Sequence, residues 1–429
     1  MVLLPKVPPN PAVVSRLAGA VAFTDYACVS AMRTVLPYYA AKLPGALSGG
    51  AGVGALESVY GLGQAAGAVV LGRASDVWGR RAVLLLCFAA SAVGYALVGG
   101  AAVLGSGALL YLSRLPVGLA KQCTTVTKAA VSDVTPPARR SEALARLYAA
   151  GAFGYAVGPW LGGRLADRGQ HLLLSGLCTA SFVVLAPAVA LLLPETRPAA
   201  APAADANGAA GGDAAAAAAA PPPPPPPPAA GAAWRDPRVR RLLLATALPE
   251  VALLMQVGVS IPLLARSVGW SATQMGVFAS AAGLSAGLVG LGPLPWALRS
   301  PRVSDAGALL AGNACLIALS LALAARATAL RLWLCLPLHI GAVALLRTLS
   351  ASVVSKAAPA EMRGEALGAL DAVSSLCRIG VPTLAGYLVD RLGIAAPFLA
   401  QAFLCTAGAT TLWRVVSEDG RAAPPDRDR

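Results

Sequence analysis

The chain has 429 residues, of which 57% are hydrophobic and 13% charged, with a mean hydropathy of +0.66 and a net charge of +14. A soluble globular domain carries about a quarter charged residues. Here the apolar residues come in blocks of about 20, the length that crosses a bilayer core, and the basic residues sit mostly in alternate short loops. That pattern excludes a soluble domain and a nucleic-acid-binding face and reads as positive-inside topology.

Taken in order, the apolar blocks predict twelve helices. In the first half they fall at 14–37, 52–71, 82–103, 107–131, 142–163 and 171–193, and in the second at 241–264, 272–297, 304–324, 328–353, 365–388 and 394–415. The first block carries Asp25 and Arg33, which reads as a retained span rather than a cleaved leader. Pro293, Pro295 and Pro337 interrupt the later blocks, because proline breaks the helical hydrogen-bond ladder. Eight scattered cysteines read as small buried hydrophobes, and His171 and His339 leave little for a metal or a triad. No HExxH or P-loop pattern appears, so neither an enzyme nor a nucleotide-driven pump is expected.

The organisation expected is a six-helix half at 1–193, a linker at 194–240, a second six-helix half at 241–415 and a tail at 416–429. Within the linker, residues 198–233 are nearly all Ala, Gly and Pro, with a run from Pro221 to Pro228. It should be a polyproline-II spacer in a disordered tract; a proline-recognising partner is the second reading. With the first residue inside, the Lys and Arg bias places both termini and the linker in the cytosol. Plasma membrane and organelle stay open.

The halves are related. Arg140 to Arg168 is written again, without a gap, from Arg363 to Arg391: Arg140, Glu142, Leu144, Leu147, Pro159, Gly163 and Asp167 meet Arg363, Glu365, Leu367, Leu370, Pro382, Gly386 and Asp390. Internal repeats in a membrane chain are the architecture of a secondary transporter. The copies also differ. Gly151, Gly154 and Gly158 become Ser374, Cys377 and Val381, while Tyr148 and Tyr155 become Asp371 and Arg378, which lie seven apart on one helix face.

Three motifs stand on this scaffold. After helix two comes Gly72-Arg73-Ala74-Ser75-Asp76-Val77-Trp78-Gly79-Arg80-Arg81. Gly72 and Gly79 permit a tight turn, and Asp76 can accept from guanidinium groups or face a helix N-terminus. Helix four carries Arg114-Leu115-Pro116-Val117-Gly118, followed by Lys121 and Lys128 at steps of seven. Helix five carries Gly154, Gly158, Pro159, Gly162 and Gly163, small residues that permit close helix contact and a bend. These resemble, in turn, the helix two–three loop, the RxxxG motif and the antiporter motif of the major facilitator superfamily, in its drug:proton antiporter, tetracycline-transporter-like branch. The usual earlier glycine of the antiporter motif falls at Ala145, and Leu294 to Arg302 lacks the second-half copy of the loop.

The resemblance implies an all-α membrane protein of twelve transmembrane helices in two pseudo-symmetric six-helix halves. In that family the loop latches the inward side, and the helix-four arginine serves proton transfer. Ten ionisable residues lie inside the expected helices: Asp25, Arg33, Glu57, Arg114, Lys121, Lys128, Glu250, Arg347, Asp371 and Arg378. A charge at a helix centre costs about 2.5–3.5 kcal/mol on insertion scales, so they imply a hydrated or charge-paired interior. Asp25, Arg33, Arg114, Lys121, Arg347, Asp371 and Arg378 are the candidate cavity or proton-coupling residues. Asp25 is the first choice of proton carrier and Asp371 the second. Asp25 and Arg33, eight apart, are alternatively structural partners. Glu57 reads as a solvated or capping residue and Glu250 as interfacial.

The function expected is proton-coupled antiport of a small organic solute by a monomer in a lipid bilayer, without cofactor, metal or nucleic acid. The alternative is a non-transporting receptor or scaffold on the same fold. The solute's charge is open: the cations outnumber the acids in the spans, whereas the drug-antiporter motifs suggest a cationic or amphipathic compound.

Overall fold

The computed structural model describes residues 10–195 and 235–422, apart from 48, 137–138, 257–258, 260, 292–303, 327 and 360–362. Among the described residues the chain forms α1 (Pro11–Ala40), α2 (Gly49–Val77), α3 (Arg80–Leu104), α4 (Gly107–Leu119), α5 (Cys123–Val134), α6 (Arg140–Asp167) and α7 (His171–Leu192). The second half holds α8 (Pro237–Met255), α9 (Ile261–Ser267), α10 (Ala272–Leu291), α11 (Asp305–Ala325), α12 (Ala329–Ala357), α13 (Arg363–Leu392) and α14 (Ala396–Ala422). A 3-10 turn at Ala120–Gln122 joins α4 to α5 within the fourth span, and α8 with α9 makes the seventh. The result is twelve spans.

The helix ends follow local chemistry. Asn10, Ser106, Asp236, Ser304 and Thr328 cap the first turns of α1, α4, α8, α11 and α12 through their side-chain oxygens, filling N–H groups that have no partner inside the helix. Pro116 precedes the 3-10 turn of the fourth span. In the seventh span Pro249 lies inside α8. Among the described residues, seven helices are long and apolar enough by composition to cross a membrane.

The first half packs α1 on α6, α3 on α7 and α2 on α4, and the second packs α14 on α8 and α11 and α13 on α8. The halves meet through two seams, α2 with α13 and α6 with α10. Both are backbone contacts made possible by glycine. A Cβ at Gly50 would stand 2.4 Å from the Gly386 carbonyl oxygen, and one at Gly54 2.3 Å from that of Pro382. In the other seam, Gly163 faces the Ala272 carbonyl and Gly276 the Pro159 carbonyl, each at 2.3 Å by the same measure. Ser58 and Thr383 share a 2.7 Å hydroxyl contact, and the Trp160 N–H donates to Ser280 Oγ at 3.1 Å. These approaches lie on the half of the bundle remote from the chain ends, here called the distal side; the opposite side is the terminal side.

Candidate functional site

The first-half charges gather where α1, α2 and the fourth span converge. Lys121 Nζ donates to Asp25 Oδ2, and the two side chains are only 13% and 3% exposed. Arg33 pairs with Glu57 at 3.1 Å. Asp25 and Arg33, read as alternative partners from their spacing, therefore take different partners on different helices. Glu57, expected to be solvated or capping, is a largely buried ion-pair member.

Arg114 is 2% exposed, and its Nε has no hydrogen-bond partner. Its guanidinium lies 4.9 Å from the centroid of the Tyr60 ring. Lys121 sits 4.1 Å over Tyr26, and Lys128 4.7 Å over Tyr148. The three cations expected on one face each take a tyrosine from a different neighbouring helix, since the 3-10 turn breaks the regular spacing. A desolvated cation over an aromatic face gains about 2 kcal/mol, less than a buried charge costs without an acid. Among the described residues Arg114 has no ion-pair partner, and Tyr60 is its aromatic contact.

The second half contributes Glu250 as a hub. Arg347 approaches its Oε1 at 3.9 Å, Arg378 at 4.0 Å, and Ser374 Oγ donates to it at 3.2 Å. Glu250, expected at an interface, lies well inside α8 with a side chain 19% exposed. The two arginines reach it only at ion-pair distance and are themselves 55% and 36% exposed, so they stay accessible. Asp371 does not join them: it is exposed, and Arg378, seven residues on, turns to Glu250 instead. Sequence reasoning missed Glu250, Tyr26 and Tyr60 as site members; the tyrosines carry no charge to mark them.

The loop between α2 and α3 makes contacts within the first half. Gly79 has φ +94°, a conformation that favours glycine. The backbone N–H of Arg80 donates to Glu195 at 2.7 Å and that of Arg81 at 3.4 Å, so Glu195 caps α3. The Arg80 side chain meets Asp133 at 3.2 Å and Ser75 Oγ at 2.7 Å, and Arg81 reaches the Ala190 and Leu193 carbonyls. Gly72 and Asp76 belong to α2, but the Asp76 side chain lies outside the described residues. In the second half Lys356 meets Asp305 at 2.5 Å, with the charges of the Arg80–Asp133 pair exchanged. The expected weak copy of the loop, Leu294 to Arg302, lies outside the described residues.

The fifth-span glycines divide between two tasks. A Cβ at Gly154, Gly158 or Gly162 would stand 2.3, 2.2 or 2.7 Å from the carbonyl oxygens of Phe23, Ala27 and Ala31 on α1. Gly163 instead faces α10 of the other half, and Pro159 offers its carbonyl to Gly276. One set holds a half together, and the other closes the seam between halves.

The family model for the Major Facilitator Superfamily matches residues 18–382 and 255–429. The tetracycline resistance protein, class H, of Pasteurella multocida is 34% identical over 119 residues, 28% of this chain and 29% of that protein; the match thus spans under a third of that relative. Solute carrier family 67 member A1 of Homo sapiens is 26% identical over 405 residues, 93% of this chain and 91% of that protein. Among solved structures, the human organic anion transporter MFSD10 (TETRAN) has a TM-score of 0.63 at 22% identity, covering 94% of this chain and 100% of that one. The nucleoside transporter NupG has a TM-score of 0.70 at 15% identity, covering 94% and 98%. At these identities the structures share the fold, which is that of transporters rather than enzymes. With two six-helix halves, glycine seams and a charged interior, the chain belongs to the Major Facilitator Superfamily, alongside relatives of the tetracycline-resistance branch.

Proposed function

We propose that this chain is a proton-coupled antiporter of a small organic solute, working by alternating access. The observation that carries the reading is the buried Asp25–Lys121 pair beside the open Glu250–Arg347–Arg378 cluster. A carboxylate held against one cation in a desolvated site can exchange that cation for a proton. The second cluster offers accessible charged groups to a solute. The fifth-span glycines and the tetracycline-resistance relatives support the antiport sense. Around the two clusters five cations (Arg33, Arg114, Lys121, Arg347 and Arg378) face three acids (Asp25, Glu57 and Glu250), which favours an anionic solute. MFSD10, which shares the fold, is an organic anion transporter, in agreement with that choice.

Both termini and the 194–240 linker are assigned to the cytosol by the Lys and Arg bias, so the terminal side is the cytosolic one. The protein works as a monomer in this reading, with Pro221 to Pro228 in a plain spacer. Asp25 is the proton carrier, with Asp371 the second candidate on its charge alone.

The test is reconstitution in proteoliposomes containing a pH-sensitive dye. Organic anions and cations that raise the thermal stability of the purified protein are added under an imposed pH gradient. Solute-dependent proton movement is expected in wild type and should be lost in Asp25→Asn; unchanged coupling in that variant removes Asp25 from the role. If no solute stabilises the protein, the receptor or scaffold reading gains, because a bound solute must stabilise the state that binds it.

A further inference from the structure

We propose that Asp167 and Asp390 are a matched pair of latches that hold the distal side closed, and that both must release when that side opens. They hold the same position in the two copies of the internal repeat. Asp167 ends α6 in the first half and reaches α10 of the second: the Ala272 N–H donates to Oδ1 at 3.0 Å and the Thr273 N–H to Oδ2 at 2.9 Å. Asp390, near the end of α13 in the second half, reaches α2 of the first: the Gly50 and Ala51 N–H groups donate to its two oxygens at 2.7 Å each. The contacts are reciprocal, one running from each half to the other.

The chemistry is that of a carboxylate at a helix start. The first N–H groups of a helix have no partner within it and carry its positive end. At α10 the segment's own Ser271 Oγ takes the Gln274 N–H at 3.3 Å, whereas the Ala272 and Thr273 N–H groups take the acid of the opposite half, as do the Gly50 and Ala51 N–H groups at α2. Capping therefore depends on how the halves are placed. The latches also stand beside the seams. Gly163, one turn before Asp167, packs on the Ala272 backbone, and Gly386, one turn before Asp390, packs on Gly50. Parting either seam withdraws the carboxylate from both of its donors. Two further distal contacts cross between halves, Arg266 Nη1 to the Pro37 carbonyl at 3.3 Å and Tyr38 Oη to the Trp270 carbonyl at 3.2 Å. Among the described residues, the terminal-side ion pairs Arg80–Asp133, Lys356–Asp305 and Arg241–Glu418 each lie within one half.

The inference rests on alternating access, but its readout needs neither solute nor proton coupling, so the two can fail separately. The full chain in lipid nanodiscs carries spin labels on genetically encoded residues replacing Leu104 and Leu330. Both are exposed, at 73% and 68%, and they sit at distal helix ends of the first and second half. Wild type should show a dominant short distance. Asp167→Ala and Asp390→Ala should each move the open-to-closed ratio by about three- to tenfold, since both acids are exposed and partly screened. The double variant should move it further. High salt should shift wild type in the same direction and leave the double variant unchanged.

If an alanine variant folds poorly, Ala272→Pro removes one donor at a first helical position, where proline is tolerated, and should reproduce the Asp167→Ala shift. Unmoved distances in a folded double variant, or an equal salt response with and without the acids, overturn the proposal.

Discussion

The fifth-span glycines allow the division of labour to be tested within one motif. Gly158→Ala places a Cβ 2.2 Å from the Ala27 carbonyl oxygen and 2.4 Å from Ser30 Oγ, and Gly163→Ala places one 2.3 Å from the Ala272 carbonyl oxygen. Ordinary contact begins near 3.4 Å, so each change forces backbones apart by roughly 1 Å, and overpacking of this kind costs about 1–3 kcal/mol. Alanine's better helix propensity returns at most about 1 kcal/mol, so the clash wins in both. What differs is where the strain can go. Gly158 is pinned between α1 and α6, which also touch at Gly154 and Gly162, so the fold itself must absorb the strain.

Gly163 faces the other half, which can swing away. Gly158→Ala should therefore lower the thermal unfolding temperature while leaving the distal label distances in place. Gly163→Ala should hold its unfolding temperature but populate the distal-open state by roughly 5- to 150-fold, the ratio equivalent of about 1–3 kcal/mol. Gly276→Ala, on the facing helix of the same seam and 2.3 Å from the Pro159 carbonyl, is the internal control and should match Gly163→Ala. The reasoning is refuted if Gly163→Ala unfolds as early as Gly158→Ala with unmoved distal distances.

Other outcomes follow from the charged clusters. Asp25→Ala strands the Lys121 ammonium and should destabilise by about 3–5 kcal/mol, while adding Lys121→Met should recover most of that loss; a double-mutant cycle by thermal unfolding measures it. Glu250→Gln releases Arg347 and Arg378, so a stabilising organic anion should bind at least a few-fold tighter, whereas Arg378→Ala should weaken it; thermal-shift titration reads both. Glu195→Ala uncaps α3 and should cost about 1 kcal/mol, with Glu195→Gln milder because one acceptor oxygen remains.

By itself the sequence determined the twelve apolar blocks, the two related halves, the family motifs and the positions that had to be small. Those are local properties: hydropathy over about 20 residues, a repeat read without gaps, and glycines at helical spacing. It also placed charges on helix faces, but a face does not name the helix that will meet it. Only the tertiary structure decided that Asp25 takes Lys121 and Arg33 takes Glu57, that Arg378 turns from Asp371 to Glu250, and that Glu250 is a hub. The clearest case is Asp167 and Asp390. Their conservation between the two copies was plain in the sequence, yet their partners lie 105 and 340 positions away. A carboxylate seeks whichever helix start comes within hydrogen-bonding reach, and the packing of one half on the other sets that reach.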